Sequence, residues 1–461
     1  MSIAAAFMVP HPPMIVPEIG RGREEEIRET IDAYEAVAGE IAALRPETII
    51  LSSPHATTYS NYFHISPGYS ARGNFAEFGA PKVSFDMQYD VSLRERICML
   101  AEEADFPAGT EGERKKALDH GTMVPLWFIC RRYTDFKLIR LGLSGLSPAE
   151  HYQLGEMIRQ AVEESGRRVV YVASGDLSHK LQDYGPYGYA PEGPEYDKRI
   201  MDVAGRAAFD EMLRFDEDFC DRAAECGHRS FLIMAGALDG TAVKAKTYSH
   251  QDVTGVGYGI CSFYPEGPDP ERQFRKAYLS EMEQKVMEMD QRSDPYVKLA
   301  RRSLESYILH GKTVELPEDL PPEMYTQKAG AFVSIHKEGQ LRGCIGTILP
   351  TEDSVALEII QNAISASVRD PRFSPIRPDE LPLLEIHVDV LGEPEDIDSE
   401  EELDVKRYGV IVQKGGRRGL LLPDLPGVDT VEEQIDIAKR KAGIGPEEKV
   451  RLQRFEVVRH L

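Results

Sequence analysis

The sequence predicts an α/β protein in two parts: an N-terminal layered α/β domain with a central, mostly parallel or mixed sheet, and a smaller C-terminal α+β domain. In the first part, apolar runs of strand length alternate with helical patterns, which is the order of a layered α/β sheet. Pro265–Pro270, rich in proline and glycine, is the strongest break in the chain. We therefore expect a domain over residues 1–268, a connector helix over 269–292 and a second domain over 293–461.

Composition narrows the class of protein. Hydrophobic residues make up 42% and charged residues 28%, which is ordinary for a globular protein with a sizeable core. The net charge of −23 repels nucleic-acid backbones and anionic membrane surfaces, so neither is expected as a partner. The 6 cysteines lack metal-ribbon or disulfide spacing, which favours a reducing compartment. Because no targeting segment and no run of about 18 apolar residues is evident, we expect a soluble cytoplasmic protein.

Two predicted strands end in a histidine. Ile3–Val9 has the composition of a buried strand, and proline cannot donate to a sheet ladder, so the strand should stop at Pro10 and project His11. A second apolar strand, Thr48–Leu51, runs through Ser-Ser-Pro into His55. Open α/β sheets place ligand sites at the carboxyl ends of their strands, so this pair of imidazoles predicts a metal site that needs a third ligand. The alternative is that each histidine only caps a strand end with a hydrogen bond.

Strands and helices alternate through the rest of the first domain. The segment Arg23–Leu44 has helical spacing, and the aromatic, glycine-bearing segment Thr57–Asp90 is predicted to form a long loop or short hairpins. His120 opens a further segment, and the glycine that follows it allows close backbone approach. The remaining predictions are the helices Val91–Ala104, Pro148–Glu164, Tyr196–Leu213 and Ser230–Leu238, and the strands Lys137–Leu143, Arg168–Ser174, Val243–Ser249 and Val256–Tyr264.

Polar residues near these strand ends are candidates for proton transfer and metal binding. An imidazole with a pKa near neutrality can take a phenolic proton and return it, which makes His179 and His120 candidates for acid/base work. Asp176 either orients His179 by a hydrogen bond or is an ordinary turn residue. Glu225 precedes a helix, where its carboxylate either completes the metal site or offsets the helix dipole. Two histidines and a carboxylate commonly bind catalytic Fe(II) and can equally bind zinc.

The second domain contains a cysteine between two glycines. Cys344 lies in Leu341–Thr347, where Arg342 could favour a thiolate, while His336 and His387 are candidate bases by residue type alone. The alternative is a small apolar core residue beside a turn. The predicted elements here are the connector helix Glu271–Arg292, the helices Pro295–His310, Ser354–Val368 and Val431–Ala442, and the strands Ala331–His336, Leu384–Leu391, Gly409–Gln413, Gly419–Leu422 and Val450–Val458.

Five motifs in order over about residues 1–265 resemble the catalytic, B-type subunit of class III extradiol ring-cleavage dioxygenases. They are Pro-His-Pro-Pro after the first strand, Ser-Pro-His after the second, His-Gly-Thr-Met-Val-Pro-Leu, Ser-Gly-Asp-Leu-Ser-His and Glu-Cys-Gly. The resemblance implies iron ligands His11, His55 and Glu225, acid/base work by His179, and His120 lining the substrate site. The related Memo proteins share this fold with a lost or altered site. Here the carboxylate position is intact, which favours a metal-competent protein.

Residues 293–461 resemble the AMMECR1 domain through Phe332–His336, Leu341–Thr347 and Asp370–Phe373. In many prokaryotes this domain accompanies a Memo-like protein and a radical-SAM protein, so the resemblance implies a radical-SAM partner. A fused AMMECR1 domain has no obvious use in simple catechol catabolism.

The resemblances together imply a non-haem Fe(II) extradiol dioxygenase that opens a catechol-type or other vicinally hydroxylated ring with O2. Its partners would be the small aromatic substrate, O2 and, in a homo-oligomer, further copies of the chain. One alternative is a Memo-like metal- or ligand-binding assembly module without ring cleavage. Another is a zinc-dependent hydrolase, since zinc suits the same ligands.

Overall fold

The computed structural model describes residues 3–115, 117–425 and 427–461. Its contacts divide the chain into two units, one up to Leu279 and one from Ser280 onward. This division falls inside the helix Phe274–Arg292. The domain limits given above, 1–268 and 293–461 with a connector helix over 269–292, stay predictions.

The first unit alternates strands and helices. Its strands are β1 (Ile3–Val9), β2 (Thr48–Ser53), β3 (Phe63–His64), β4 (Ser70–Phe75), β5 (Ala80–Gln88), β6 (Ala108–Gly109), β7 (Lys137–Gly142), β8 (Val169–Ser174), β9 (Thr241–Gln251) and β10 (Tyr258–Pro268). Its helices are α1 (Pro17–Gly20), α2 (Arg28–Leu44), α3 (Val91–Glu103), α4 (His120–Cys130), α5 (Pro148–Ser165), α6 (Glu192–Arg206), α7 (Phe209–Met212), α8 (Glu217–Ala223), α9 (His228–Ala237) and α10 (Phe274–Arg292), the last of which crosses the division.

The main sheet of this unit has the order β7-β2-β8-β1-β10-β9. The strands from β7 to β1 run parallel, whereas β10 pairs antiparallel with both β1 and β9. The predicted layered α/β domain with a mixed sheet is therefore confirmed. Because β2, β8 and β1 are neighbours and run the same way, their carboxyl ends at Ser53, Ser174 and Val9 meet at one edge of the sheet.

Helices bury this sheet. Every residue of β2 and β8 is buried, which is what a sheet covered on both faces requires of its strands. α2 and α4 pack on one face, where Tyr34 stacks on Phe128 with ring centroids 4.2 Å apart. α5 and α9 pack tightly against each other, since a Cβ on Gly236 would lie 1.9 Å from the carbonyl oxygen of Tyr152. The carboxyl ends of these strands therefore belong to a sheet that is buried under packed helices.

Some predicted boundaries differ from the structure. The segment Thr57–Asp90 contains the antiparallel pair β4 and β5, as the short-hairpin prediction expected. The predicted helix Tyr196–Leu213 is interrupted, because α6 ends at Arg206 and Ala207 adopts a left-handed φ of 52°. β10 continues into the predicted break and ends at Pro268, with a register shift between Pro265 and Gly267 that accommodates the prolines.

The second unit is built on a curled antiparallel sheet with the order β12-β11-β13-β17-β15-β16, with β14 paired to β17. This confirms the predicted α+β domain. Its strands are β11 (Ala331–Lys337), β12 (Gln340–Gly346), β13 (Leu384–Leu391), β14 (Glu395–Ile397), β15 (Tyr408–Lys414), β16 (Arg417–Leu421) and β17 (Arg451–His460), and its helices are α11 (Pro295–His310), α12 (Pro322–Thr326), α13 (Val355–Val368) and α14 (Val431–Lys441).

Alternation along β11 gives this sheet two different faces. Ala331, Val333 and Ile335 are buried in an apolar core that includes residues of α11 and α13. Phe332, Ser334 and His336 are only half-buried and belong to the opposite face. Among the described residues, no helix of either unit is long and apolar enough to cross a membrane.

A buried carboxylate fastens the loop after β12 to α13. Glu358, 1% exposed, accepts hydrogen bonds from the Thr347 hydroxyl at 2.6 Å, from the Thr351 amide and hydroxyl at 2.8 Å each, and from the Glu352 amide at 2.9 Å. Burial raises the pKa of Glu358, but these hydrogen bonds outweigh it, so the pKa lies below its ordinary value of 4.5.

We expect Glu358→Ala to lower the free energy of unfolding by about 2–4 kcal/mol at pH 7, because four hydrogen-bond donors lose a buried, charged acceptor. A group with a lowered pKa stabilises the fold above its ordinary pKa and loses that effect as the pH falls through the lowered value. The deficit should therefore shrink in acid, below about pH 4.5. Unfolding midpoints at several pH values test this. Gln361→Ala, an exposed change on the same helix, is the control; equal deficits in both variants would contradict the expectation.

Candidate metal centre

The two strand-end histidines meet at the carboxyl edge of the first unit's sheet. His11 follows β1 and His55 follows β2, and their Nε2 atoms lie 3.0 Å apart. The imidazole of His11 is buried, and burial together with His55 lowers its pKa to about 3. Desolvation also lowers the pKa of His55. Both rings are therefore neutral at pH 7, which is the form that can bind a metal.

The hydrogen bonds of Ser174 fix the tautomer of His11. The Ser174 hydroxyl donates to the carbonyl oxygen of Gly121 at 2.6 Å, which uses its only proton. Its oxygen, 3.0 Å from Nδ1 of His11, must then accept a hydrogen bond from that nitrogen. Nε2 of His11 is consequently unprotonated, and its lone pair faces Nε2 of His55, 3.0 Å away. A second hydrogen bond, from the backbone amide of His11 to Asp176 at 2.7 Å, holds the residue in place.

Cys226 supplies a third donor atom. Its Sγ lies 3.7 Å from Nε2 of His11, and the donor atoms of His11, His55 and Cys226 all lie within 4.8 Å of one another. Burial, and then the charges of Asp176 and Glu225, raise the pKa of the free thiol. A metal ion would have to displace the thiol proton, which is how thiolate ligands are formed in metal sites.

Close backbone packing puts Cys226 at this position. A Cβ on Gly175 would lie 2.1 Å from Cα of Gly227, so the turn after β8 can touch the turn before α9 only because residue 175 is glycine. A Cβ on Gly227 would lie 2.4 Å from the ring of Phe231. The amide of Asp176 then donates to Sγ of Cys226 at 3.3 Å. The Glu-Cys-Gly and Ser-Gly-Asp motifs therefore pack directly against each other, and this packing fixes the position of the Cys226 thiol.

Glu225 does not join this donor group. Its carboxylate accepts a hydrogen bond from the backbone amide of His228 at 2.5 Å, at the start of α9. Desolvation raises the pKa of Glu225 to about 7, against the opposing effect of that amide. This position is the one described by the alternative stated above, a carboxylate at the N-terminus of a helix that offsets the helix dipole. As a metal ligand Glu225 stays a prediction, and the geometry favours Cys226 in its place.

A second group of donors adjoins the first. Asp176, His179 and Cys226 have donor atoms within 4.8 Å of one another, so Cys226 belongs to both groups. Burial raises the pKa of Asp176 to about 6. Burial lowers the pKa of His179, with Asp176 acting in the opposite direction, and the ring stacks on Tyr187 at 5.0 Å. Nε2 of His179 is buried and has no hydrogen-bond partner among the described residues.

His120 lies beside the two histidines at the start of α4. Its ring centroid is 4.0 Å from that of His55 and 5.5 Å from that of His11, and burial followed by those two rings lowers its pKa to about 3. The predicted close approach after His120 is present, because a Cβ on Gly121 would lie 2.4 Å from Oγ of Ser53. His55 and His120 line a cavity of about 950 Å³, whose wall includes Phe78 and residues of β4 and β5. This cavity can hold a small aromatic molecule next to the donor atoms.

The structure thus brings four of the five predicted site residues, all except Glu225, near one another. His11, His55 and His120 are in ring contact, and His179 shares Cys226 as a neighbour with the first two. Sequence reasoning missed Cys226. The sequence did contain a signal for Cys226, which follows Glu225 in the Glu-Cys-Gly motif. A thiol binds borderline and soft metals more strongly than a carboxylate does, so Cys226 was the alternative ligand at this position.

We expect Ser174→Ala to weaken metal binding by about 10- to 100-fold, the usual cost of losing the hydrogen-bond partner of a histidine ligand. The reason is that Nδ1 of His11 loses its acceptor, and the ring can then rotate or change tautomer. Chelator competition monitored by metal analysis measures the affinity. Ser52→Ala is the matched control, since Ser52 is equally buried on β2 and its hydroxyl contacts Ser230. An unchanged affinity in Ser174→Ala would contradict the tautomer assignment.

Comparison with known proteins identifies two regions. Residues 5–261 match the family model of the catalytic LigB subunit of aromatic ring-opening dioxygenase, and residues 297–460 match that of AMMECR1. Protein CA_C1420 of Clostridium acetobutylicum is 41% identical over 470 residues, covering 100% of this chain and 99% of its own. A Thermotoga maritima protein is 57% identical over 169 residues, covering 36% of this chain and 97% of its own.

Two solved structures are also similar. The crystal structure of protein PH0010 from Pyrococcus horikoshii has 36% sequence identity and a TM-score of 0.34, and the match covers 37% of this chain and 91% of that one. The crystal structure of protein JW3007 from Escherichia coli K12 has 15% identity and a TM-score of 0.39, and the match covers 56% of this chain and 99% of that one.

Proposed function

Because this chain belongs to the family of the catalytic LigB subunit of aromatic ring-opening dioxygenase and carries an AMMECR1 domain C-terminal to the LigB region, we propose that its first unit is a metal-dependent enzyme. The proposed substrate is a small ring that carries vicinal hydroxyl groups. The proposed reaction is extradiol ring opening with O2, and the metal expected for it is Fe(II).

The observation that carries this proposal is the convergence of His11, His55 and Cys226 on one point. Ser174 leaves Nε2 of His11 as a lone-pair donor, and Nε2 of His55 and Sγ of Cys226 lie 3.0 Å and 3.7 Å from that nitrogen. Two neutral imidazoles and a thiol suit Fe(II), zinc or copper. A transition-metal ion held there supplies Lewis acidity and, if it is iron or copper, the redox chemistry that O2 activation needs.

The residues around these donors can bind the ring and move a proton. The cavity beside His55 and His120 takes the aromatic ring, with Phe78 available for edge contact. His179 is neutral near pH 7, and its buried Nε2 is free to accept the proton of a substrate hydroxyl. Asp176 stabilises the imidazolium that results, since its charge raises the pKa of His179. His179 can return the proton from Nε2 to the product.

A second candidate is metal binding without ring opening, as in the Memo-like alternative. The observation that favours it is Cys226, because a thiol in place of a carboxylate shifts preference toward zinc or copper. The two candidates share the metal site and differ in whether O2 is consumed.

Anaerobic purification followed by metal analysis and O2-uptake measurements separates the candidates. The metal-free protein is reloaded in turn with Fe(II), zinc and copper, and then given catechols, with resorcinol as a control that lacks the vicinal pair. Ring opening predicts one metal per chain and equimolar loss of O2 and catechol with Fe(II) alone. A stoichiometric metal without O2 uptake on any diol would support the second candidate. Absence of specific metal binding would contradict both.

The variant Cys226→Glu helps to separate the two candidate functions, because it places a carboxylate where the thiol is. If the thiol is what limits O2 chemistry, this variant should gain uptake with Fe(II) relative to the native chain. If the thiol is an active ligand of the ring-opening enzyme, the variant should lose uptake instead.

A further inference from the structure

The second unit contains a cavity of about 420 Å³ that the proposed metal chemistry does not use. It lies on the half-buried face of the curled sheet, where side chains of β11, β12, β13 and β17 meet residues 420–425 and Lys441 of α14. The opposite face of the same strands is filled by the apolar core. A concave face of this size, mostly apolar with a few charged and polar side chains, has the dimensions and the mixed lining of a small-molecule site.

Strand register brings nucleophilic and titratable groups into one row of this cavity. Cys344 of β12 pairs with Ser334 of β11, and Ser334 pairs with His387 of β13. The Ser334 hydroxyl donates to Sγ of Cys344 at 3.2 Å. The ring of His336, on the same face, lies 5.2 Å from that of His387. The register therefore places a thiol, a hydroxyl and two imidazoles on the same face of three adjacent strands.

Both imidazoles are neutral and one has an unused nitrogen. Burial, and then His387, lower the pKa of His336, and burial lowers the pKa of His387 against the effect of Glu385 and Asp389. Nδ1 of His336 is buried without a hydrogen-bond partner among the described residues. A bound molecule with a hydroxyl or a protonated acid group could satisfy it.

The cavity carries one uncompensated positive charge. Asp389 is paired with Arg459 at 2.8 Å, and Asp424 with Lys406 at 3.2 Å. Lys441 also lines the cavity, and among the described residues it has no ion-pair or hydrogen-bond partner. Desolvation lowers the pKa of the Lys441 ammonium, and the Cys344 thiol acts in the opposite direction, so the two groups are within electrostatic reach.

Asp370 and Arg372 hold the backbone of Cys344 in position. The Cys344 amide donates to Asp370 at 2.9 Å, while Arg372 forms an ion pair with Asp370 at 2.7 Å and donates to the Cys344 carbonyl at 3.0 Å. Arg342, expected to act on the thiol, instead pairs with Glu380 at 2.9 Å. The cations near Cys344 are therefore Arg372 and Lys441. All these groups belong to the matched AMMECR1 region.

We propose that this cavity binds a small organic anion, of carboxylate or phosphate type, with its charged group at Lys441 and its body against the thiol of Cys344. The chain as a whole is strongly acidic, so the unpaired charge of Lys441 gives this cavity a local attraction for anions that the net charge opposes elsewhere. Cys344 lines the same cavity and interacts electrostatically with Lys441. This inference does not depend on the metal site of the first unit.

Alkylation by iodoacetate tests the proposal, because this reagent is itself a small carboxylate with an electrophilic carbon. The sulfur–carbon bond forms as the carbon–iodine bond breaks, iodide leaves and the thiol proton goes to solvent. The full chain is treated with iodoacetate or with neutral iodoacetamide, and the rate at each cysteine is followed by peptide mass spectrometry. The ratio of the two rates cancels changes in thiol ionisation and isolates the attraction of the anion.

At Cys344 we expect the iodoacetate-to-iodoacetamide ratio to exceed that of a cysteine in a short unstructured peptide by about 10-fold or more. Lys441→Gln should lower the ratio to the peptide value, whereas Arg440→Gln, the neighbouring charge removal outside this cavity, should leave it high. Competition by acetate or by inorganic phosphate on the unaltered chain shows which anion type is preferred.

Three results would overturn the proposal: a ratio equal to that of the peptide, a ratio unaffected by Lys441→Gln, or alkylation of Cys344 only after unfolding. The last would return Cys344 to the core-residue alternative. The other five cysteines, all with burial-raised pKa, provide the internal reference for slow alkylation in the folded chain: Cys98, Cys130, Cys220, Cys226 and Cys261.

Discussion

Replacing His179 with alanine should lower turnover by about 10²- to 10⁴-fold while leaving the bound metal in place. The expected loss is that of a positioned proton-transfer group, because in the proposed function the substrate proton goes to Nε2 of His179, which is buried without a hydrogen-bond partner among the described residues. Steady-state kinetics on the substrate found by the O2-uptake panel measure the loss, and metal analysis of the same preparation supplies the control.

The pH profile separates this role from a structural one. A base must be neutral to accept a proton, so activity should fall as the pH drops below the pKa of His179, which burial holds under its ordinary value of 6.5. His179→Ala should remove that acidic limb from the profile. Loss of the metal along with activity would instead make His179 a ligand or a structural residue.

Replacing His11 with alanine should weaken metal binding by more than about 100-fold, beyond the usual cost of losing a ligand's hydrogen-bond partner. His11 supplies the lone pair around which the other donors are arranged, and its backbone bond to Asp176 survives the change. His120→Ala is the matched control, since His120 has a similarly lowered pKa of about 3 and lies outside the donor group. Equal metal loss in the two variants would mean that His120, too, is a ligand.

The sequence could predict where the candidate histidines lie, because their positions follow from topology. Parallel strands that are neighbours bring their carboxyl ends together, so residues that follow β1, β2 and β8 must be close whatever the details of the loops. The lengths of the strands and the proline after β1 were enough to place His11 and His55. The same reasoning placed Asp176 and His179.

Which side chain of Glu225 and Cys226 faces the histidines was not predictable in this way. It depends on the turn between α8 and α9, where Ala224 adopts a left-handed φ of 52° that a non-glycine residue rarely takes. It also depends on the contact of Gly175 with Gly227, which joins two segments far apart in sequence. Similarly, pairing of Arg342 with Glu380 needs the strand register and the 3₁₀ turn that carries Glu380.

In the proposed metal site, Cys226 and not Glu225 is the third donor beside His11 and His55. Metal content after anaerobic purification of Cys226→Ser and Glu225→Gln, two changes that nearly preserve shape, tests this most directly. Glutamine can still accept the hydrogen bond of His228, so the start of α9 should keep its cap in the second variant. We expect Glu225→Gln to retain about one ion per chain and Cys226→Ser to lose it. Retention by Cys226→Ser together with loss from Glu225→Gln would show that Glu225, and not Cys226, is the third donor.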